Sequence, residues 1–232
     1  MGSASSQKNH SMRSWLRDHG LLVANLILFL GTFAGMIVSG AAAYSSDQIA
    51  HHQAPVSLLQ YLGTGNFMEA TFENWESEFL QMGSYVVLTA FLFLRGSAES
   101  KEMNGDAAQD EDPRDAPITP STPWPVRRGG AALAVYEHSL AILFGVLFLA
   151  SVFLHAVGGM IDFNEQQVQH GQSPVDLVGF LGTPEFWFQS MQNWQSEFMV
   201  VCVILVATIY LRQRGSSQSK PVAASSRQTG DD

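Results

Sequence analysis

Cysteine occurs once in the 232 residues, at Cys202. A lone thiol excludes an intrachain disulfide framework, and its place in an apolar run reads as a small buried side chain. Basic residues are also scarce, 12 against 21 acidic ones, and residues 45–78 and 162–197 contain neither Lys nor Arg. A formal charge of −9 without a basic stripe gives no footprint for nucleic acid. No HxxxH or ExxH spacing, nucleophile–base pair or cofactor-type glycine loop is present, so no catalytic residue, metal or cofactor is expected. Length alone does not make the chain polar or apolar: 46% of residues are hydrophobic and only 14% charged. Yet mean hydropathy is +0.06, because the apolar residues are concentrated in blocks.

What the chain has in their place is an internal repeat. Displaced by 119 positions, residues 16–101 lie over 135–220 with about a third of the positions identical. Asn74-Trp75-Glu76-Ser77-Glu78-Phe79 pairs with Asn193-Trp194-Gln195-Ser196-Glu197-Phe198, Leu62-Gly63-Thr64 with Leu181-Gly182-Thr183, and Pro55-Val56 with Pro174-Val175. The two copies act as a small alignment, in which retained positions are visible without homologues.

Residues 21–44 and 139–161 are long apolar runs without a charge, and 79–94 and 198–211 are shorter ones. A hydrocarbon layer about 30 Å thick needs about 20 apolar residues in a helix. The first pair meets that length outright, and the second does so when the preceding NWxSEF turn is included. The fold class expected is therefore all-α: a polytopic membrane protein with four transmembrane helices arranged as two helix-hairpin repeats of the same orientation. Residues 21–43 also resemble a signal sequence, but their repeat mate lies mid-chain, where no signal can be, so a retained span is expected.

The Lys and Arg residues set the orientation. They precede the first span (Lys8, Arg13, Arg17), separate the second from the third (Arg95, Lys101, Arg114, Arg127, Arg128) and follow the fourth (Arg212, Arg214, Lys220, Arg227). Cytoplasmic flanks carry the excess of Lys and Arg, which places both termini and the central linker inside an inner membrane. The domain reading is a cytoplasmic tail over 1–15, a two-helix repeat over 16–95, an acidic, Pro-rich disordered linker over 96–130, the second repeat over 131–214 and a disordered tail over 215–232. Two hairpins of one orientation imply a pseudo-twofold axis along the membrane normal.

Thr183-Pro184-Glu185 is a strong helix start, with Thr as N-cap, Pro at the first helical position and an acid in the first turn; Thr64 holds the matching place. Glu78 and Glu197 each lie 17 residues before an arginine, Arg95 and Arg214, which is about 25 Å along a helix and sets them at the outer membrane boundary. Trp75 and Trp194, one turn earlier, suit interfacial anchors. Helical spacing puts Asn74, Ser77 and Glu78 on a polar face with Gln81 and Tyr85, and Asn193, Ser196 and Glu197 on its counterpart. Polar groups at membrane depth turn toward the bundle, so these six residues are expected to meet near the pseudo-twofold axis. His155, at similar depth, has no counterpart, since Met36 occupies its place. It joins the cluster as a candidate relay. Two roles remain open: interhelical polar contacts that hold the repeats together, or handling of protons or small cations.

Three stretches, Trp15-Leu16-Arg17-Asp18-His19-Gly20, Phe72-Glu73-Asn74-Trp75-Glu76-Ser77-Glu78-Phe79-Leu80-Gln81 and Arg95-Gly96-Ser97-Ala98-Glu99-Ser100-Lys101, resemble a family of small bacterial membrane proteins assigned to a domain of unknown function. With the second repeat the resemblance spans most of residues 15–220. It implies membrane localisation and topology, and no activity. The expected protein is non-enzymatic, with the lipid bilayer as its partner and protons or small cations as candidate ligands. The competing expectation is a membrane scaffold acting through its acidic outer loops or flexible cytoplasmic segments.

Overall fold

The structure, a computed structural model, describes residues 3–102 and 107–230, with side chains from Ser14 onward. The extreme ends of both tails and the middle of the linker (1–2, 231–232 and 103–106) lie outside the described residues. Among the described residues the protein is all-helical, 69% helix without a strand. The helices are α1 (Ser3–Ala50), α2 (Leu58–Tyr61), α3 (Gly65–Phe91), α4 (Trp124–Arg128), α5 (Gly130–Glu137), α6 (Ser139–Gln169), α7 (Leu177–Leu181) and α8 (Pro184–Tyr210). The stretch read as a linker also holds a 3-10 turn, Ala108–Asp110.

Three helices are long and apolar enough to cross a membrane: Ser14–Ala50 of α1, α6 and α8. Their large apolar side chains are mostly exposed, as lipid-facing groups are. Helix α3 has the same 27-residue length as α8, but four glutamates (Glu69, Glu73, Glu76, Glu78) interrupt its first half. Cys202 is exposed on α8. The core-residue reading of it fails because α8 turns that face outward.

Local chemistry sets the helix starts. Thr64 caps α3 by accepting from the Phe67 backbone N–H, and Thr183 caps α8 by accepting from Phe186 N–H, with Pro184 in the first turn. A short helix precedes each: α2 opens with a capping box of Ser57 and Gln60, and α7 with Asp176 accepting from Gly179 N–H. The loop into α2 is pinned by Ser45, whose Oγ donates to Val56 O at 3.0 Å and accepts from Val56 N–H at 3.1 Å. The loop into α7 is pinned by Asn164, whose amide donates to Val175 O at 2.8 Å and accepts from Val175 N–H at 2.7 Å.

Packing centres on α3, which lies along α6 and, over a shorter length, against α8. Two glycines allow the closest approach. A Cβ built on Gly65 would stand 2.6 Å from Asp162 N, and one on Gly158 would stand 2.6 Å from Glu69 N. Small residues at such crossings let two backbones meet, which is how helices associate where no hydrophobic force separates protein from lipid. The pairing of α3 with α6 has no equal between α8 and α1. Pro184 and Ser39 occupy the positions matching Gly65 and Gly158, so the second copy lacks the shapes that this crossing requires.

Beyond α8 the chain folds back. Lys220, 1% exposed, donates through Nζ to the carbonyls of Gly96, Ser225 and Gln228. Ser97 Oγ lies 3.0 Å from Thr208 Oγ1, and Gly230 N–H donates to Ser97 O at 3.0 Å. The C-terminal tail thereby lies against the turn that follows α3.

Candidate functional site

On α6, the buried residues Ser151, His155, Gly158, Gly159 and Asp162 recur at helical spacing and form the face turned to α3. On α3, Glu69 and Glu76 are buried, with Glu73 half-buried between them. The two stripes meet at a wholly buried carboxylate–imidazole pair. His155 Nδ1 lies 2.9 Å from Glu76 Oε2, and both side chains are 0% exposed.

Hydrogen bonds fix the protonation logic of this pair. Trp194 Nε1–H, from α8, donates to Glu76 Oε1 at 2.9 Å, so both carboxylate oxygens are engaged. On its far side His155 Nε2 lies 3.2 Å from Gln189 Oε1. The Gln189 amide cannot be turned round without cost, because its Nε2 donates to Glu69 Oε1 and, at 3.3 Å, to Glu185 Oε1. Its oxygen therefore faces the imidazole, and Nε2 must carry a proton. Two states satisfy every partner. Either an imidazolium donates Nδ1–H to a carboxylate, or a protonated Glu76 donates to a neutral ring. They differ by one proton moved along a single 2.9 Å contact. Phe186, its ring centroid 5.1 Å from that of His155, closes the pocket on an apolar side.

The polar groups continue toward the C-terminal end of α6. Glu69 stands within electrostatic reach of Asp162, which accepts from Gln166 Nε2 at 2.7 Å. Asp162 in turn lines a cavity of about 510 Å³ between the ends of α1 and α6. Polar side chains thus follow one another from that cavity, Asp162 and then Glu69, and hydrogen bonds link Glu69 through Gln189 and His155 to Glu76. A side branch joins Asn193 Nδ2 of α8 to Glu73 Oε1.

Among residues singled out from sequence, His155 and Asn193 lie in this network and Trp194 contacts its carboxylate. Asn74 is exposed and donates to Ala70 O of its own helix; Ser77 and Ser196 donate to Asn74 O and Asn193 O, one turn back on theirs. Glu78 is exposed and Glu197 half-buried, and they meet neither His155 nor a shared partner; Gln81 Nε2 donates to the Glu197 backbone carbonyl at 2.9 Å. No hydrogen bond joins Asn74, Ser77 and Glu78 to Asn193, Ser196 and Glu197, although Glu78 lies within electrostatic reach of Glu197. The face turned to α6 runs through 65, 69 and 76, offset from the face that carries Asn74 and Glu78. Trp75 sits among Phe29, Phe33, Phe72 and Phe79 between α1 and α3. Trp194 spends its N–H on Glu76.

Glu76, Glu69, Asp162 and Gln189 were not anticipated. A signal for them exists, in the opposite direction from retention. The counterparts of Glu76 and His155 are Gln195 and Met36, so both members of the pair changed between copies, as a buried pair must when one charge is lost.

Fold and site together define an all-helical protein with three helices long and apolar enough to cross a membrane and a buried carboxylate–imidazole pair. Residues 12–231 match the model of a family described as Domain of unknown function (DUF6766), and the chain belongs to that family. No curated protein and no solved structure matches it.

Proposed function

We propose that this chain is a four-span, non-enzymatic inner-membrane protein with both termini cytoplasmic, and that it passes protons through the Glu76–His155 pair. Four spans are supported by the length of α3, identical to that of α8. Two repeats are supported by features that recur at the same 119-residue displacement: the Ser45–Val56 and Asn164–Val175 brackets, the Thr64 and Thr183 caps, and Gly96 and Gly215, both at φ +85°. Orientation is supported by the absence of Lys and Arg from residues 45–78 and 162–197.

One observation carries the proton reading: a carboxylate and an imidazole, both wholly buried, stand 2.9 Å apart at the end of a polar path from a cavity. Ionisable groups at membrane depth are costly and mark ion or proton pathways. Imidazole exchanges protons near neutral pH, and a paired carboxylate can hold or release the same proton. Gln189 holds the ring so that Nδ1 faces Glu76 and Nε2 faces the path.

A structural reading competes, favoured by the contacts between α3 and α8 through Asn193–Glu73 and Gln81–Glu197 O, which hold the two copies together whatever protons do. Proteoliposomes under a potassium diffusion potential, loaded with a pH-reporting dye, separate the two. Proton entry that is lost in Glu76→Gln, when normalised to the amount of folded protein, supports transfer. Equal rates in wild type, Glu76→Gln and empty liposomes leave the network a structural role.

A further inference from the structure

Two histidines at matching positions of the repeat, His51 just past α1 and His170 just past α6, stand on matching helix caps. Each donates its backbone N–H one turn back, His51 to Asp47 O and His170 to Gln166 O, both at 3.1 Å. The next residue is left-handed, His52 at φ +62° and Gly171 at φ +70°. The one after closes the cap, Gln53 N–H on Gln48 O and Gln172 N–H on Gln167 O, both at 2.8 Å. Both rings are therefore carried on capped backbone. The helix ends are tied to each other by Glu165, which accepts from Tyr44 Oη–H and from Gln48 Nε2, each at 2.8 Å. Tyr44, Gln48 and His51 share one face of α1, and the two imidazoles meet with ring centroids 6.4 Å apart.

Hydrogen bonds set the tautomer of both rings. Nδ1 of His51 lies 3.0 Å from Asp47 O, and Nδ1 of His170 lies 2.7 Å from Gln166 O. A carbonyl only accepts, so each Nδ1 carries a proton and, in the neutral ring, each Nε2 keeps a lone pair. Nδ1 faces back along its own helix, which turns the Nε2 edge away from it. Both residues are exposed, and no hydrogen bond among the described residues takes either Nε2. An imidazole oriented through Nδ1–H by a carbonyl, with the other nitrogen open, is the form in which histidine ligates metals.

We propose that His51 and His170 together bind one divalent transition-metal ion of the zinc–copper class through their Nε2 atoms. Coordination at about 2.0–2.1 Å puts the ion about 3 Å from a ring centroid, so two rings on one ion have centroids about 5–6.5 Å apart. The observed 6.4 Å falls in that span. Imidazole suits zinc, copper and nickel, whereas calcium and magnesium take oxygen ligands. Among the described residues no group of three His, Cys, Asp or Glu is disposed to hold a metal, so water completes the coordination. Residues 45–78 and 162–197 contain no Lys or Arg to oppose a cation. The bound ion staples the C-terminal ends of α1 and α6. The inference does not require that Glu76 and His155 move protons.

The test is calorimetric titration and thermal unfolding of the full chain in detergent with zinc chloride, at pH 7.5 where imidazole can coordinate. Copper(II) at one equivalent, read by electron paramagnetic resonance, counts the bound imidazoles. The expected result is one zinc ion per chain with a rise in Tm, on the order of tenfold weaker in His51→Gln and in His170→Gln. The double variant should be little worse than either single one, because one ion needs both ligands. The copper spectrum should show two imidazole nitrogens in wild type and one in each single variant. Each variant's rise is read against its own metal-free Tm, and both side chains are exposed, so loss of fold does not imitate loss of binding. His52→Gln and Glu76→Gln should bind as wild type does, which lets this site and the proton pathway fail separately. Absence of saturable binding, an equal response to calcium, unchanged affinity in either single variant, or a single imidazole in the wild-type spectrum overturns the proposal.

Discussion

Nδ1 of His155 on α6 and Oε2 of Glu76 on α3 are 2.9 Å apart, and neither side chain is reached by solvent. Each residue comes from a different copy of the repeat, and each is replaced in the other copy by a neutral one, Met36 and Gln195. That exchange sets up the sharpest test of the pair. Removing one member of a buried charge pair strands the other and costs roughly 3–5 kcal/mol, whereas replacing both by neutral groups of similar size is close to neutral. Glu76→Gln and His155→Met should each lower stability by several kcal/mol. The double variant, which carries the residues of the other copy, should return to within about 1 kcal/mol of wild type. Equilibrium unfolding in detergent reads the coupling directly. Additive losses would mean that the two groups act independently.

Trp194 offers a narrower test of the same carboxylate. Its indole N–H is one of two donors to Glu76, at 2.9 Å. Trp194→Phe keeps most of the ring against Phe148 while leaving Glu76 Oε1 unsatisfied, at a cost of about 1–3 kcal/mol. In Glu76→Gln the same substitution should cost much less, because the acceptor is no longer a carboxylate. A membrane-surface role for the indole predicts the same loss in both backgrounds.

The α3–α6 crossing should be intolerant of any side chain. A Cβ on Gly158 meets backbone, Glu69 N at 2.6 Å, and backbone cannot swing aside as a side chain can. Gly158→Ala should destabilise by about 1–3 kcal/mol and Gly158→Leu by more. Gly145→Ala, on the same helix with open space around it, should be silent. Equal effects at the two positions would point to helix propensity and away from the crossing.

The contacts beyond α8 make a separate prediction, because they bind the tail and not the helices. Lys220 Nζ gathers carbonyls from Gly96, Ser225 and Gln228. Lys220→Met keeps the aliphatic stem and deletes the donors, so the tail should open more often. Tryptic cleavage at Arg227 should accelerate roughly tenfold, the equivalent of about 1.4 kcal/mol of local opening, while the Tm of the helical part stays put.

How far the sequence could lead is clearest from Thr183 and Glu78. The Thr183 cap depends on three neighbouring residues, and the structure shows that cap with Pro184 behind it, because local chemistry decides helix starts. Which face of α3 turns inward is decided by a partner helix far away in the chain, and two faces offset by part of a turn look alike in a list of residues. Retention between copies then favoured Glu78 over Glu76. Retention reports what both copies need, such as caps, brackets and the NWxSEF helix itself. A site made once, from one residue of each copy, shows itself in the positions where the copies differ. His155 stood out for that reason, and Glu76, opposite Gln195, had the same mark.

Topology provides the last prediction, and it turns on parity. Helix α3 carries four glutamates and is the one long helix beyond α1, α6 and α8 not apolar enough by composition to cross a membrane unaided. If it crosses, the chain spans four times and its ends share a side; if it lies in the interface, three spans put the ends on opposite sides. The burial of Glu69 and Glu76 against α6 favours crossing, since those acids then face protein and not lipid. With Cys202→Ser as background, single cysteines at Ser14, Gln172 and Ser217 can be challenged in intact cells with a membrane-impermeant maleimide. Labelling of Gln172→Cys alone, with Ser14→Cys and Ser217→Cys labelled only after permeabilisation, is the four-span outcome. Labelling of Ser217→Cys in intact cells with Ser14→Cys protected would make the count odd, remove α3 from the membrane and place Glu76 and His155 in a different medium altogether.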